Sequence, residues 1–139
     1  MAPIAVATPQ QSAAAVIPGA SLRVAGFGAT NPFGVHLSGF LKATIELVRT
    51  DRRCLKAYTS DLFAPESIIC ALGAKREHPG RFKILTSACS GDSGGPLVAD
   101  TPTGAVEVGT VSYGGALCGL PANPTVYSKV AASVDFING

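Results

Sequence analysis

At 139 residues the chain is long enough for one domain around one hydrophobic core. A net charge of +2, with only 14% of residues charged, supplies no basic field to draw in a nucleic acid or an anionic membrane surface, so neither partner is expected. No apolar run is long enough to span a bilayer, since the stretch from Val16 to Phe27 is interrupted by Pro18, Gly19 and Arg23, and a soluble chain is expected.

Met1 to Ala20 is rich in Ala and Pro and carries no basic residue ahead of its apolar stretch, so it does not read as a secretory signal. Residues 1–20 are expected to be an extended segment outside the domain, which occupies 21–139. Sixteen Gly and ten Pro then punctuate short apolar runs, a pattern of all-β rather than helical structure. Leu22 to Gly28 is the first predicted strand, followed by a Gly/Pro-rich loop that holds His36. Leu41 to Val48 alternates as a half-buried strand does, with Leu41, Ala43, Ile45 and Leu47 on one face and Lys42, Thr44 and Glu46 on the other.

Asp51 is placed to cap a short helix running through Cys54 to Tyr58. Ile68 to Leu72 is the third strand. A basic loop with Lys75, Arg76, Glu77, His78, Arg81 and Lys83 separates Leu72 from Ser87, and reads as a charged, solvated loop. Pro96 to Val98, Val106 to Tyr113 and Thr125 to Val130 complete six strands. A terminal helix is predicted over about Ala131 to Ile137, with Val130, Val134 and Ile137 on one face and Phe136 beside it. Six short strands separated by turns suit a closed antiparallel barrel.

Four cysteines without a Cys-x-x-Cys pair fit disulfides better than a metal site, although four reduced thiols remain compatible with the count. The residues that carry chemistry are in the run Cys89-Ser90-Gly91-Asp92-Ser93-Gly94-Gly95-Pro96. A serine hydroxyl is a poor nucleophile at neutral pH, and needs a base beside it and amide N–H groups aimed at the developing oxyanion. A serine between glycines in a tight turn meets the second requirement, with the amides of Gly91 and Ser93 as donors.

This run resembles the active-site segment of the chymotrypsin/trypsin-like serine proteases, Gly-Asp-Ser-Gly-Gly-Pro after a cysteine. The likeness covers roughly Ser21 to Gly139 and corresponds to the C-terminal of that family's two barrels. It implies an all-β, six-stranded antiparallel Greek-key β-barrel with a short intermediate helix and a C-terminal helix. It makes Ser93 the nucleophile, and it assigns Asp92 to the ion pair that organises the site on zymogen cleavage rather than to the triad. Pro3 to Ala7 resembles the link between the two barrels. Met1 is then either the start of a chain that lost its first barrel or an internal methionine of a longer gene.

The resemblance also implies the pairings Cys54–Cys70 and Cys89–Cys118. A further family bridge would need cysteines near Leu22 and Ala99, where both are absent. Two disulfides imply an oxidising compartment and hence a secreted, extracellular or periplasmic protein. In the specificity pocket, implied to comprise Ser87, Ala88, Gly114 and Thr125, Ser87 stands where trypsin-like enzymes place an aspartate. Cleavage after Arg or Lys is therefore disfavoured. Gly114 leaves one wall open and Thr125 shortens the cavity, implying small or medium apolar side chains. Ser112, Tyr113 and Gly114 resemble the segment that pairs with substrate as an added strand.

The base is missing. Neither His36 nor His78 lies in the family's catalytic-histidine context, and Asp51, Asp61, Asp100 and Asp135 fall in caps, turns or the last helix. Serine endopeptidase ancestry, a polypeptide substrate, no cofactor and no metal are the expectation. The isolated chain is expected to be inactive. The alternatives are a peptide-binding or split-protease half that meets a separately encoded N-terminal barrel, and a truncated gene product.

Overall fold

The computed structural model describes residues 2–58, 64–74, 76–78 and 83–139, with backbone only for 76–78. Asp61, Lys75, Arg81 and the side chains of Arg76, Glu77 and His78, all singled out in the sequence, lie outside the described residues. Nine strands occur in the described chain: β1 (Ala5–Val6), β2 (Ser21–Gly26), β3 (Lys42–Val48), β4 (Ile68–Gly73), β5 (Arg76–His78), β6 (Ile84–Leu85), β7 (Pro96–Thr101), β8 (Gly104–Tyr113) and β9 (Thr125–Lys129). Three helices accompany them: α1 (Pro9–Ala15), α2 (Asp51–Ala57) and α3 (Val134–Asn138).

Six strands in the order β8-β7-β2-β3-β4-β9 close on themselves through β8–β9, each pair antiparallel. Closure pairs every barrel strand on both sides and leaves no open edge. The placement of β7 beside β2, after β2, β3 and β4 have paired in succession, is the Greek-key crossover. These six are the strands the sequence predicts. The core inside them is built from Leu22, Val24, Val48, Ile69, Leu97, Val106, Val108 and Tyr127, all buried.

Four local expectations change. Residues 1–20 are not extended throughout: β1 adds in parallel to β8, and Pro9–Ala15 is helical. Thr8 caps that helix by accepting from the Gln11 amide while the Gln11 side chain accepts from the Thr8 amide, with Pro9 at the first helical position. Asp51 is not the cap of α2. Thr50 holds that position and accepts from the Arg53 amide, leaving Asp51 in the first turn, where its charge suits the helix dipole. The basic loop between Leu72 and Ser87 contains the β5–β6 hairpin. The terminal helix is a 3-10 turn over Val130–Ser133 followed by α3, and only Val130 of its apolar set is buried, Phe136 being 88% exposed.

A fifth change, in β3, reverses the expected hydrophobic pattern. Glu46 is fully buried and Val48 is buried, while Ile45 is 45% exposed and Leu41, just before the strand, is exposed too. The polar member of the alternation points inward. Leu22 lies opposite Glu46 on β2 and is itself buried, so the two side chains share the inner face of the sheet.

Both disulfides form as the resemblance implies, Cys54–Cys70 with Cα atoms 6.1 Å apart and Cys89–Cys118 with 5.4 Å. The first ties α2 to β4, and the second ties the serine turn to the loop between β8 and β9.

Candidate active site

Ser93 sits in the turn between Cys89 and β7, and its geometry follows from glycine. Gly91 and Gly94 adopt φ of +93° and +81°, a region that a side chain at either position would strain. Within the turn the Asp92 amide donates to the Cys89 carbonyl and the Gly95 amide to that of Asp92. The turn is anchored to β8 by a reciprocal pair, Gly94 N–H to Val111 O at 3.0 Å and Val111 N–H to Gly95 O at 2.9 Å. Among the described residues the amides of Gly91 and Ser93 donate to no protein group, and Ser93 is exposed. Two unengaged N–H groups beside an exposed hydroxyl are the components an oxyanion site uses.

Next to Ser93 opens a cavity of about 240 Å³, lined among others by Ala88, Ser112, Tyr113, Gly114 and Thr125. Thr125 is buried in its lining. Tyr113 meets the Tyr58 ring edge to face with centroids 5.3 Å apart, and Tyr58 in turn donates its hydroxyl to the Pro124 carbonyl at 2.6 Å. Burial, with Tyr113 alongside, pushes the Tyr58 phenol up to about 12, so it stays a neutral donor. Ser87, expected in this pocket, lines the neighbouring cavity instead. Ala88 lines both, and is the wall between them.

The neighbouring cavity, about 340 Å³, belongs to Asp92 and also takes in Gly26, Gly28 and Lys42. The Asp92 carboxylate accepts the Gly28 amide at 2.8 Å and the Cys89 amide at 2.9 Å. It lies so close to Gly26 and Gly28 that a Cβ on either would collide with it. Asp92 therefore braces the nucleophile turn against the end of β2.

Sequence reasoning missed Glu46. Its carboxyl oxygens accept the Ala88 amide at 2.8 Å and the Tyr127 hydroxyl at 2.8 Å. Burial pushes its pKa up to about 7, against the lowering effect of those two hydrogen bonds and of the Arg49 charge. Two consecutive amides, of Ala88 and Cys89, are thus held by two carboxyls from different parts of the chain. No local pattern could have revealed this, because Glu46 occupies an ordinary polar position in an alternating strand.

The other titratable candidates are elsewhere. His36 is exposed on the β2–β3 loop and lines neither cavity. Asp51 is in α2, Asp100 pairs with Arg23, and Asp135 is exposed on α3.

The family model described as Trypsin matches residues 1–137. Among curated proteins the chain is 33% identical over 112 residues to a venom protease of Bombus pensylvanicus, covering 81% of this chain and 41% of that protein. It is 36% identical over 128 residues to serine protease ea of Drosophila melanogaster, covering 88% of this chain and 30% of that protein. With glandular kallikrein-3, submandibular, of Rattus norvegicus it shares 29% identity over 119 residues, which is 86% of this chain and 56% of the relative. The chain therefore spans about half or less of the length of these relatives.

Proposed function

The chain belongs to the trypsin-like serine protease family, and on that premise we propose that it is the nucleophile-bearing barrel of a serine endopeptidase. The observation that carries this reading is the exposed Ser93 with the unengaged Gly91 and Ser93 amides beside a cavity that Ser93 itself lines. Ser93 Oγ attacks the peptide carbonyl and forms the acyl-enzyme, and the two amides hold the tetrahedral oxyanion. A histidine from a preceding barrel, on this polypeptide or another, takes the serine proton and returns it to the leaving amine. An aspartate from that barrel orients the histidine.

Thr125 in the cavity, with no carboxylate among the described residues of its lining, supports cleavage after small or medium apolar residues. Ser112, Tyr113 and Gly114 would pair with substrate backbone. Asp92 would receive a new N-terminal ammonium on activation. Two disulfides and relatives that include a venom protease support an exported protein.

Alone, this chain is proposed to hydrolyse peptides negligibly, since an unpaired serine hydroxyl retains little of the triad's rate. A second reading, a half that works only with a partner barrel, is supported by the exposed apolar residues Phe27, Phe33, Val35, Leu37, Phe40 and Leu41 on and around the β2–β3 loop. One experiment addresses both. The purified chain is assayed with an alanine-terminated peptide anilide, first alone and then mixed with a first barrel carrying the histidine and aspartate. No turnover alone and Ser93-dependent turnover on mixing are expected. Turnover by the chain alone that disappears on mutating His36 or His78 would overturn the reading.

A further inference from the structure

A carboxyl taken fully out of water at no benefit would cost several kcal/mol, so its partners matter. Both partners of Glu46 belong to the Ser93 cavity or adjoin it. Ala88, whose amide it accepts, is a wall of the cavity. Tyr127, whose hydroxyl it accepts, stands two residues beyond Thr125 on β9, with the same side of the strand facing in. Glu46 itself does not line the cavity. It reaches the wall and the β9 strand from behind, across the barrel from β3.

We propose that Glu46 is a positioning residue for the substrate side-chain pocket, its two carboxyl oxygens holding the wall at Ala88 and the Thr125-bearing strand at Tyr127 in fixed relation. This rests on reading the Ser93 cavity as a peptide-binding site. Every charged or titratable group found to act on Glu46 is accounted for among the described residues: Tyr127 from β9, Arg49 beyond the end of β3, and Asp92 from the nucleophile turn. The ionised carboxylate accepts from both donors. Once protonated it keeps one acceptor for Ala88 but presents an O–H toward Tyr127, whose hydroxyl must then rotate to accept. The hold on β9 is weaker in that state, and the pocket becomes proton-dependent between pH 5.5 and 8.5, although among its described lining residues the one titratable side chain, Tyr113, is pushed by burial above the ordinary phenol range and stays neutral there.

Glutamine copies the protonated form, with one acceptor and one donor, and cannot ionise. Leucine leaves both donors unpaired. The test is binding of the product-type acid acetyl-Ala-Ala-Pro-Ala to the oxidised chain, followed by amide chemical shifts and measured between pH 5.5 and 8.5, where the peptide carboxylate does not titrate. Wild type and Glu46→Gln are expected to bind equally at pH 5.5, and wild type about threefold or more tightly at pH 8.5. Glu46→Leu, where folded, is expected to bind about tenfold more weakly throughout. A merely structural role would lower the folded fraction of Glu46→Gln without changing the affinity ratio across pH. A flat ratio, with the peptide seated at Ser93 and Thr125, overturns the role of Glu46 alone. Shifts that fail to localise there in wild type overturn the reading of the site, and this inference with it.

Discussion

Glu46 and Tyr127 meet inside the barrel at 2.8 Å, carboxyl oxygen to phenol oxygen, from two strands separated by β4. Burial raises the pKa of both, that of Glu46 to about 7 from an ordinary 4.5. The folded chain therefore holds the Glu46 proton more tightly than the unfolded chain does. The stability this proton linkage contributes is fully present below about pH 4.5 and is lost as pH rises through about 7, a change of about 3 kcal/mol. Unfolding free energies from urea titrations between pH 4.5 and 8 should fall by that amount relative to Glu46→Gln. A wild-type profile parallel to that of the glutamine variant would refute the shift.

Gly28 is expected to be irreplaceable for a steric reason. A methyl group there would overlap the Asp92 carboxylate, which the Gly28 and Cys89 amides hold in place. Gly28→Ala should cost about 2–3 kcal/mol through the displaced carboxylate and its lost hydrogen bonds. Gly39→Ala, with open space around the added methyl, should stay within about 0.5 kcal/mol. Denaturant unfolding of the two variants makes the comparison.

Thr125 is expected to limit the depth of the Ser93 cavity. Thr125→Gly should improve binding of a phenylalanine-terminated product peptide relative to the alanine-terminated one by about tenfold, the scale of one to two methylene-sized contacts. Titration of both peptides reads the ratio, and an unchanged preference would remove Thr125 from the specificity pocket.

Extended by one residue, the antiparallel register Arg23 to Val98 and Val24 to Leu97 between β2 and β7 would set Leu22 opposite Ala99, and both residues are buried. The resemblance implies that the family's further bridge would need cysteines near these two residues. Leu22→Cys with Ala99→Cys should close a third disulfide. Loop closure over that span is worth about 4 kcal/mol in the chain-entropy model, and lost packing at Leu22 offsets about 2 of it. Thiol counting and unfolding with and without reductant check the outcome.

The six barrel strands were legible because Gly and Pro punctuate short apolar runs, signals that a few neighbouring residues generate without reference to the rest of the chain. The nucleophile turn was legible for the same reason: Gly91 and Gly94 mark positive φ locally, and six consecutive residues carry the motif. The disulfide pairing was available only through the resemblance, since spacing alone admits other connectivities. What chain-local rules could not decide was which face of β3 turns inward. Alternation sorts side chains into two sets, but only barrel closure assigns a set to the interior. Here it buries Glu46, because donors from Ala88 and Tyr127, 42 and 81 residues away in sequence, converge on its carboxyl and offset its desolvation. Tertiary structure alone also decided that Ser87 lines the Asp92 cavity while Ala88 lines both.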